Sequence, residues 1–169
     1  MTIKKRLSVR MVFAKPDHAG GGSPMPYIAK DYLTNPSAPL GKWVCTRTST
    51  MGPYDEVPPA DKQHAPDFCG QCVSFVTTVC STIPVNTGGW KKGAQVKGNA
   101  AVVAGTAIAT FDNKGKYSGH AAIYESQTAT AINVVDQWVT PPAREIHQRK
   151  LRFGASGNAN NGDNFFVID

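Results

Sequence analysis

The sequence predicts an α+β fold, an antiparallel sheet with one helix packed against a face of it. Three observations carry this expectation. From Cys72 the apolar residues Cys72, Val73, Val76, Val79 and Cys80 recur with helical spacing and form one stripe. Four β-prone runs, near residues 105–111, 120–124, 131–136 and 164–168, follow that stripe in a row. The polar stretch 125–130 between two of the runs reads as a hairpin loop, which makes those two neighbours antiparallel.

The helix is expected to start close to Cys72. Asp67 stands ahead of the stripe as an N-cap candidate, Gly70 permits a tight approach, and Pro84 marks the far end. Cys72 then falls in the first turn. There, unsatisfied backbone N–H groups and the helix dipole favour a thiolate, and the pKa should lie below the reference of about 8.5. A buried free cysteine in the core is the plainer alternative.

The hairpin supplies the second half of the pattern. With its centre at Thr128, Tyr124 pairs with Ile132, Ala122 with Val134 and His120 with Asp136. Side chains alternate with period two, so all six share one face. A carboxylate across from an imidazole can hold its Nδ1–H, fix the tautomer and leave Nε2 facing a thiol. A slip of one residue puts Asn133 or Gln137 in that role, and an amide there is also chemically sensible. Each residue alone has a structural reading, His120 as a satisfied histidine and Asp136 as a turn cap; the helix Cys, strand His, next-strand Asp order is what points to nucleophilic chemistry.

Gly70-Gln71-Cys72 before an apolar helix, Gly119-His120-Ala121-Ala122-Ile123-Tyr124-Glu125, and an acidic residue ending the next strand resemble the papain-like NlpC/CHAP cysteine amidases. The stretch Gly105-Thr106-Ala107-Ile108-Ala109-Thr110-Phe111, together with Asp136-Gln137-Trp138, resembles more narrowly the type VI secretion amidase effectors. The likeness runs from about Asp67 to Asp169, and residues 1–66 carry no matching motif. It implies a papain-like fold with Cys72 as nucleophile, His120 as general base and Asp136 as the orienting third residue. Gln71, Gly119 and Gln137 fall at oxyanion or substrate-binding positions, with the backbone N–H of Cys72 the better-founded oxyanion donor. The implied reaction is amide hydrolysis at diaminopimelate in peptidoglycan, with no cofactor. The implied partners are the peptidoglycan substrate, a type VI secretion apparatus, and a cognate periplasmic immunity protein expected to be acidic. The implied location is the periplasm of a target Gram-negative cell, reached from the cytoplasm of the producer without a signal peptide.

The cysteines do not read as a metal site. Cys45, Cys69, Cys72 and Cys80 contain a single C-x-x-C, and three of them fall near one helix rather than at the corners of a tetrahedron. A redox C-x-x-C is the sharper rival, but the proline-rich segment before Cys69 offers no strand for a βαβ unit. For a protein working in a periplasm the count invites disulfides. Cys69 and Cys80 lie about 16 Å apart along a helix, too far for a bond that needs Cα atoms within about 7 Å. Cys45 to either of them remains open.

The chain has 169 residues, enough for one core, and reads as a single catalytic domain over residues 1–169. Residues 1–66 form an irregular N-terminal elaboration and 67–169 the core. Within the former, residues 20–26 are glycine-proline punctuation, 25–33 suit a short helix and 41–46 a short strand. That elaboration is either a lid forming one wall of a cleft or an ornament. Residues 154–163 read as a second flexible loop. Trp90 and Trp138 suit either a groove or the core, with at least one of them core.

No apolar run approaches the length of a membrane span, and the basic start Lys4-Lys5-Arg6 precedes too short an apolar run for a signal peptide. The net charge of +6 is spread over Lys91, Lys92, Arg149, Lys150 and Arg152 among others, without aromatic interleaving or a nucleic-acid motif. It suits an anionic sacculus or an acidic inhibitor, or an ordinary basic surface. A papain-like protease or deamidase acting on a protein, and a non-catalytic binding domain, are the other function classes.

Overall fold

The computed structural model describes residues 25–169. Among the described residues six strands form one sheet: β1 (Lys92–Gln95), β2 (Ala107–Phe111), β3 (Tyr117–Gln127), β4 (Ala131–Trp138), β5 (Arg144–Arg152) and β6 (Phe165–Ile168). Their spatial order is β1-β6-β2-β3-β4-β5, and every neighbouring pair is antiparallel. One α-helix, α1 (Cys72–Val79), packs on β3 and β4. This is the α+β architecture that the element order predicts.

Both faces of the sheet centre are covered, so the strands there are apolar on both sides. Phe75, Val76 and Val79 of α1 meet Ala121, Ile123 and Val135 on one face. Ile108, Ala122, Ile132, Val134, Leu151 and Phe165 fill the other. The alternation Ala121/Ala122/Ile123 across the two clusters follows from the two-residue period of a strand.

β1 and β5 are the strands absent from the sequence expectation, and both are sheet edges. Edge strands carry charge that guards unpaired backbone. β5 reads Arg-Glu-Ile-His-Gln-Arg-Lys-Leu-Arg, with only Ile146 and Leu151 fully withdrawn from solvent. A run so charged carries little of the apolar signal by which strands are recognised.

The hairpin register also differs. β3 runs on to Gln127, which pairs with Ile132; past an irregularity, Tyr124 faces Val134 rather than Ile132. The strands are thus offset by two residues from the expected pairing. An even offset preserves the face of every side chain, so His120 meets Asp136 diagonally instead of directly across.

Residues 25–33 form no helix. Ile28 bridges to Thr106, and the Ala29 N–H donates to the Gly105 carbonyl at 2.9 Å, so residues 27–29 run extended beside the start of β2 and residues 31–34 turn away from it. Gly105 is required there: at φ +89°, a Cβ would stand 2.3 Å from the Ala29 carbonyl oxygen. Residues 41–46 hold only the isolated bridge Trp43–Tyr54, because Val44 is bonded to a side chain of β4 instead. The basic start at Lys4-Lys5-Arg6, the short apolar run after it and the punctuation at residues 20–24 lie outside the described residues. Cys45 and Cys69 form a disulfide, one of the two pairings open to Cys45; Cys72 and Cys80 are free and buried. No helix among the described residues is long and apolar enough to cross a membrane.

Candidate active site

The path of the chain into α1 explains where the thiol sits. Gln71 occupies the N-cap with an extended backbone, and its side chain makes no capping bond. Asp67 does not cap the helix either; its carboxylate accepts from the Ser49 hydroxyl at 2.5 Å. The Phe68 carbonyl in the loop ahead accepts the Ser74 hydroxyl at 2.6 Å, which ties that loop to the first turn of the helix. Gly70 passes under Val139 and Trp43 at φ +76°, where a Cβ would stand 2.9 Å from Val139. Cys72 therefore begins the helix with its N–H free of the intrahelical ladder.

Gln137 fixes this helix start from below. Its side-chain oxygen accepts the Val44 N–H at 3.0 Å, and its amide nitrogen donates to the carbonyls of Val44 at 3.0 Å and Gln71 at 2.9 Å. The residue is wholly buried. It does not face the cleft.

Opposite the thiol stands His120. Its Nε2 lies 2.7 Å from Asp136 Oδ2, and the imidazole is in hydrogen-bond contact with Cys72. Asp136 thus holds Nε2 and leaves Nδ1 for the sulfur, the reverse of the sequence expectation, because the diagonal contact brings the far ring nitrogen to the carboxylate. Of the three candidates for the third position only Asp136 reaches the imidazole: the Asn133 amide donates to the Ser126 hydroxyl at 2.8 Å, and Gln137 is spent on Val44 and Gln71.

Asp136 is itself buried and tied to Arg149, whose Nε donates to Oδ2 at 2.8 Å and to Oδ1 at 3.1 Å. The guanidinium also donates to the Asn160 side chain at 2.8 Å and the Ala159 carbonyl at 3.1 Å, and it stacks 4.5 Å over the Trp138 ring. Residues 154–163 are accordingly anchored to the site through Arg149 rather than free of it. The Trp138 ring also meets the imidazole edge-on at 6.1 Å. On the other side of the sulfur, the Tyr117 hydroxyl lies 3.4 Å from Cys72 Sγ, and its ring packs edge-on against the buried Trp90. Trp90 is core and Trp138 lines the cleft.

Electrostatically the pair favours the charged state. Burial pushes the Cys72 thiol up, but bonding to His120 and its charge, aided by the Tyr117 hydroxyl and the Ala121 N–H, outweigh burial and leave the thiol below its ordinary value. Burial pushes His120 down, yet its bonds to Asp136 and Cys72 and their negative charges carry it up to about 9. Tyr117 is pushed above the ordinary phenol range by burial and by the Cys72 charge, so it remains a neutral hydroxyl. A thiolate facing an imidazolium is the form suited to attack on a carbonyl.

Two cavities meet at Gln71, Cys72 and Gly119. One, of about 440 Å³, is walled by His120, Trp138, Pro142, Arg149 and Asn160. The other, of about 750 Å³, is walled by His64, Phe68, Val73, Val85 and Tyr117. Residues of the N-terminal elaboration, Thr46, Gln63 and His64, thus form part of a cleft wall. Gln71 lines both cavities while its amide donates to the Gln63 carbonyl at 3.0 Å, and Gly119 lines both with no side chain. Cys69 is spent in its disulfide with Cys45, so the C-x-x-C is no redox pair.

Tyr117 and Arg149 were not singled out by the sequence as site residues. Tyr117 stands two residues ahead of Gly119-His120, a signal visible only once that dipeptide is placed in a strand. Arg149 is hidden among the charges of an edge strand.

A sheet-packed helix that opens on a thiol, with a strand imidazole beside it, defines a papain-like α+β protein. The model of the Domesticated amidase effector 2 family matches residues 33–168, and the chain belongs to that family. It is 44% identical over 103 residues to Domesticated amidase effector 2 of Ixodes scapularis, an alignment covering 59% of this chain and 70% of the relative. To the type VI secretion amidase effector 2 protein of Salmonella typhi it is 31% identical over 115 residues, covering 59% and 84%. Among solved structures, type 6 secretion amidase effector 2 superposes with a TM-score of 0.51 at 29% identity, covering 59% of this chain and 80% of the other.

Proposed function

We propose that the chain is a cysteine amidase that hydrolyses peptide bonds of peptidoglycan at diaminopimelate, in the stem peptide or the cross-bridge, with Cys72, His120 and Asp136 as its triad. The observation that carries the reading is the buried Cys72–His120–Asp136 array, placed where two cavities meet. Cys72 Sγ attacks the amide carbonyl carbon, and the developing oxyanion accepts the Cys72 backbone N–H at the helix start. The imidazolium gives its proton to the leaving amine as the C–N bond breaks, leaving a thioester on Cys72. Water, deprotonated by His120, then attacks the thioester; the acid departs and the thiolate returns. Gln71 flanks the oxyanion position, and Gly119 presents its backbone to substrate where the two cavities meet.

Residues 1–169 act in this reading as one catalytic domain. Its delivery by a type VI secretion apparatus to the periplasm of a target cell is supported by the relative that carries that name. The net charge of +6 supports attraction to the anionic sacculus and to an acidic immunity protein that blocks the cleft. Lysis on directing the protein to a Gram-negative periplasm, and none on retaining it in the cytoplasm, is the expected cellular outcome; equal toxicity from both would overturn the location.

The direct test is mass spectrometry of purified Gram-negative sacculi after digestion. New muropeptides are expected with the wild type, their masses naming the bond, and none with Cys72→Ala. Unchanged sacculi with the wild type would remove peptidoglycan as the substrate, and cleavage by Cys72→Ala would remove the nucleophile.

A further inference from the structure

β2 and β3 do not pair residue for residue at the site. Ala109 faces Ala121 and Phe111 faces Tyr117, so the three residues Ser118, Gly119 and His120 stand against Thr110 alone. Such a bulge removes backbone rungs from the ladder and re-aims the side chains it contains. Here one side chain replaces the missing rungs. Thr110 Oγ1 accepts the His120 N–H at 2.9 Å and donates to the Ser118 carbonyl at 2.5 Å. Thr110 is fully buried and is held from its other side by pairing with Phe165 of β6, whose ring meets the imidazole edge-on at 6.4 Å. Gly119 completes the fit: its φ is +107°, and a Cβ would stand 2.7 Å from Thr110 Oγ1 and 2.8 Å from the Asn158 amide.

We infer that Thr110 is a positioning residue for His120, its hydroxyl setting the bulge that aims the imidazole at once toward Cys72 and Asp136. The inference rests on the proposed role of His120 but not on the identity of the substrate. Without the hydroxyl, the buried His120 N–H is left without its partner and the Ser118 carbonyl keeps only the Asn158 amide at 3.3 Å, so residues 118–120 relax away from the geometry that lets one ring serve two partners. A displacement of about 1 Å at a catalytic group costs on the order of a hundredfold in rate.

The test compares Thr110→Val, which keeps the shape and removes the hydroxyl, with Thr110→Ser, which keeps the hydroxyl. Two readouts are used: kcat and KM on sacculi, and the pH profile of Cys72 alkylation by iodoacetamide, followed by peptide mapping so that Cys80 does not contribute. Thr110→Val is expected to lower kcat by about ten- to a hundredfold with KM little changed. In its alkylation profile the upper inflection, set by His120 at about 9, should move down toward the ordinary histidine range. Thr110→Ser should keep both close to wild type. If Thr110→Val does not fold, Thr110→Ala against Thr110→Ser carries the same comparison. A hydroxyl-free variant with wild-type kcat and an unmoved inflection would overturn the inference, as would a serine variant as impaired as valine. The alkylation arm separates the two readings: an inflection moved by Thr110→Val, with sacculi left intact even by the wild type, removes the substrate and upholds Thr110, whereas an unmoved inflection with wild-type kcat in an enzyme that cleaves sacculi removes Thr110.

Discussion

At the scale of single residues the site is a chain of four charges, Cys72, His120, Asp136 and Arg149, each touching the next. Their pH behaviour follows from the directions of the shifts. The thiol is lowered, so the thiolate is present from below the ordinary thiol range upward; the imidazole is raised to about 9, so the imidazolium persists until the pH passes that value. The reactive pair exists between those limits, and hydrolysis should fall above about 9 as the proton for the leaving amine is lost. Asp136 is the first of the groups that raise His120, so Asp136→Asn should bring the alkaline limit down, read as a shifted pH–rate profile. An unmoved alkaline limit would mean that His120 is not the titrating acid. By linkage, the contribution of His120 to folding stability is complete below its unfolded value of about 6.5 and is lost as the pH rises through about 9. Cys72, His120 and Asp136 were legible because each has few alternatives of its type in a suitable element. Which ring nitrogen meets which partner was not, since it depends on a two-residue offset that leaves the face of every side chain unchanged.

At the scale of elements, the central strands and α1 were legible from apolar periodicity, and the edges β1 and β5 were not, because their composition answers to solvent as much as to the core. The run beside β2 suits a helix in the sequence for a related reason: Tyr27, Ile28 and Tyr32 fit either period over so short a length, and only the bonds to Gly105 and Thr106 decide. The junction between α1 and β4 depends on one amide. Gln137→Leu would leave the buried Val44 N–H without a partner, at a cost of about 1–3 kcal/mol, while the carbonyls of Val44 and Gln71 keep the N–H groups of Gly70 and Ser74. Urea unfolding should therefore show a loss of about 1–3 kcal/mol, with reduced Cys72 alkylation in the folded fraction. A variant as stable as wild type would show that water replaces the amide.

At the scale of the whole molecule, residues 1–66 were the least readable from sequence, yet their described part, residues 25–66, is built into the structure. It is secured by the disulfide to Cys69, three residues before the thiol, and by Val44 on Gln137. The bond closes a loop of sequence separation 24, and such a closure stabilises the native state by about 3 kcal/mol through restriction of the unfolded chain. Replacing both Cys45 and Cys69 by alanine should lower the unfolding free energy by about that amount, and reductant should then have no further effect on the variant. Equal denaturation midpoints for wild type and variant would exclude the bridge in solution.

Asp136 and Gln137 are neighbours on β4, and they act on opposite sides of it: one holds the imidazole, the other the helix that bears the thiol. A single dipeptide is therefore the common datum from which the imidazole and the thiol are both measured. If β4 were threaded one place out of step, carboxylate and amide would trade sides, and imidazole and thiol would be misplaced together. Half-assembled versions of this site, with one group correct and the other astray, have no register in which to exist, so the chemistry should appear in folding as a single event rather than by degrees.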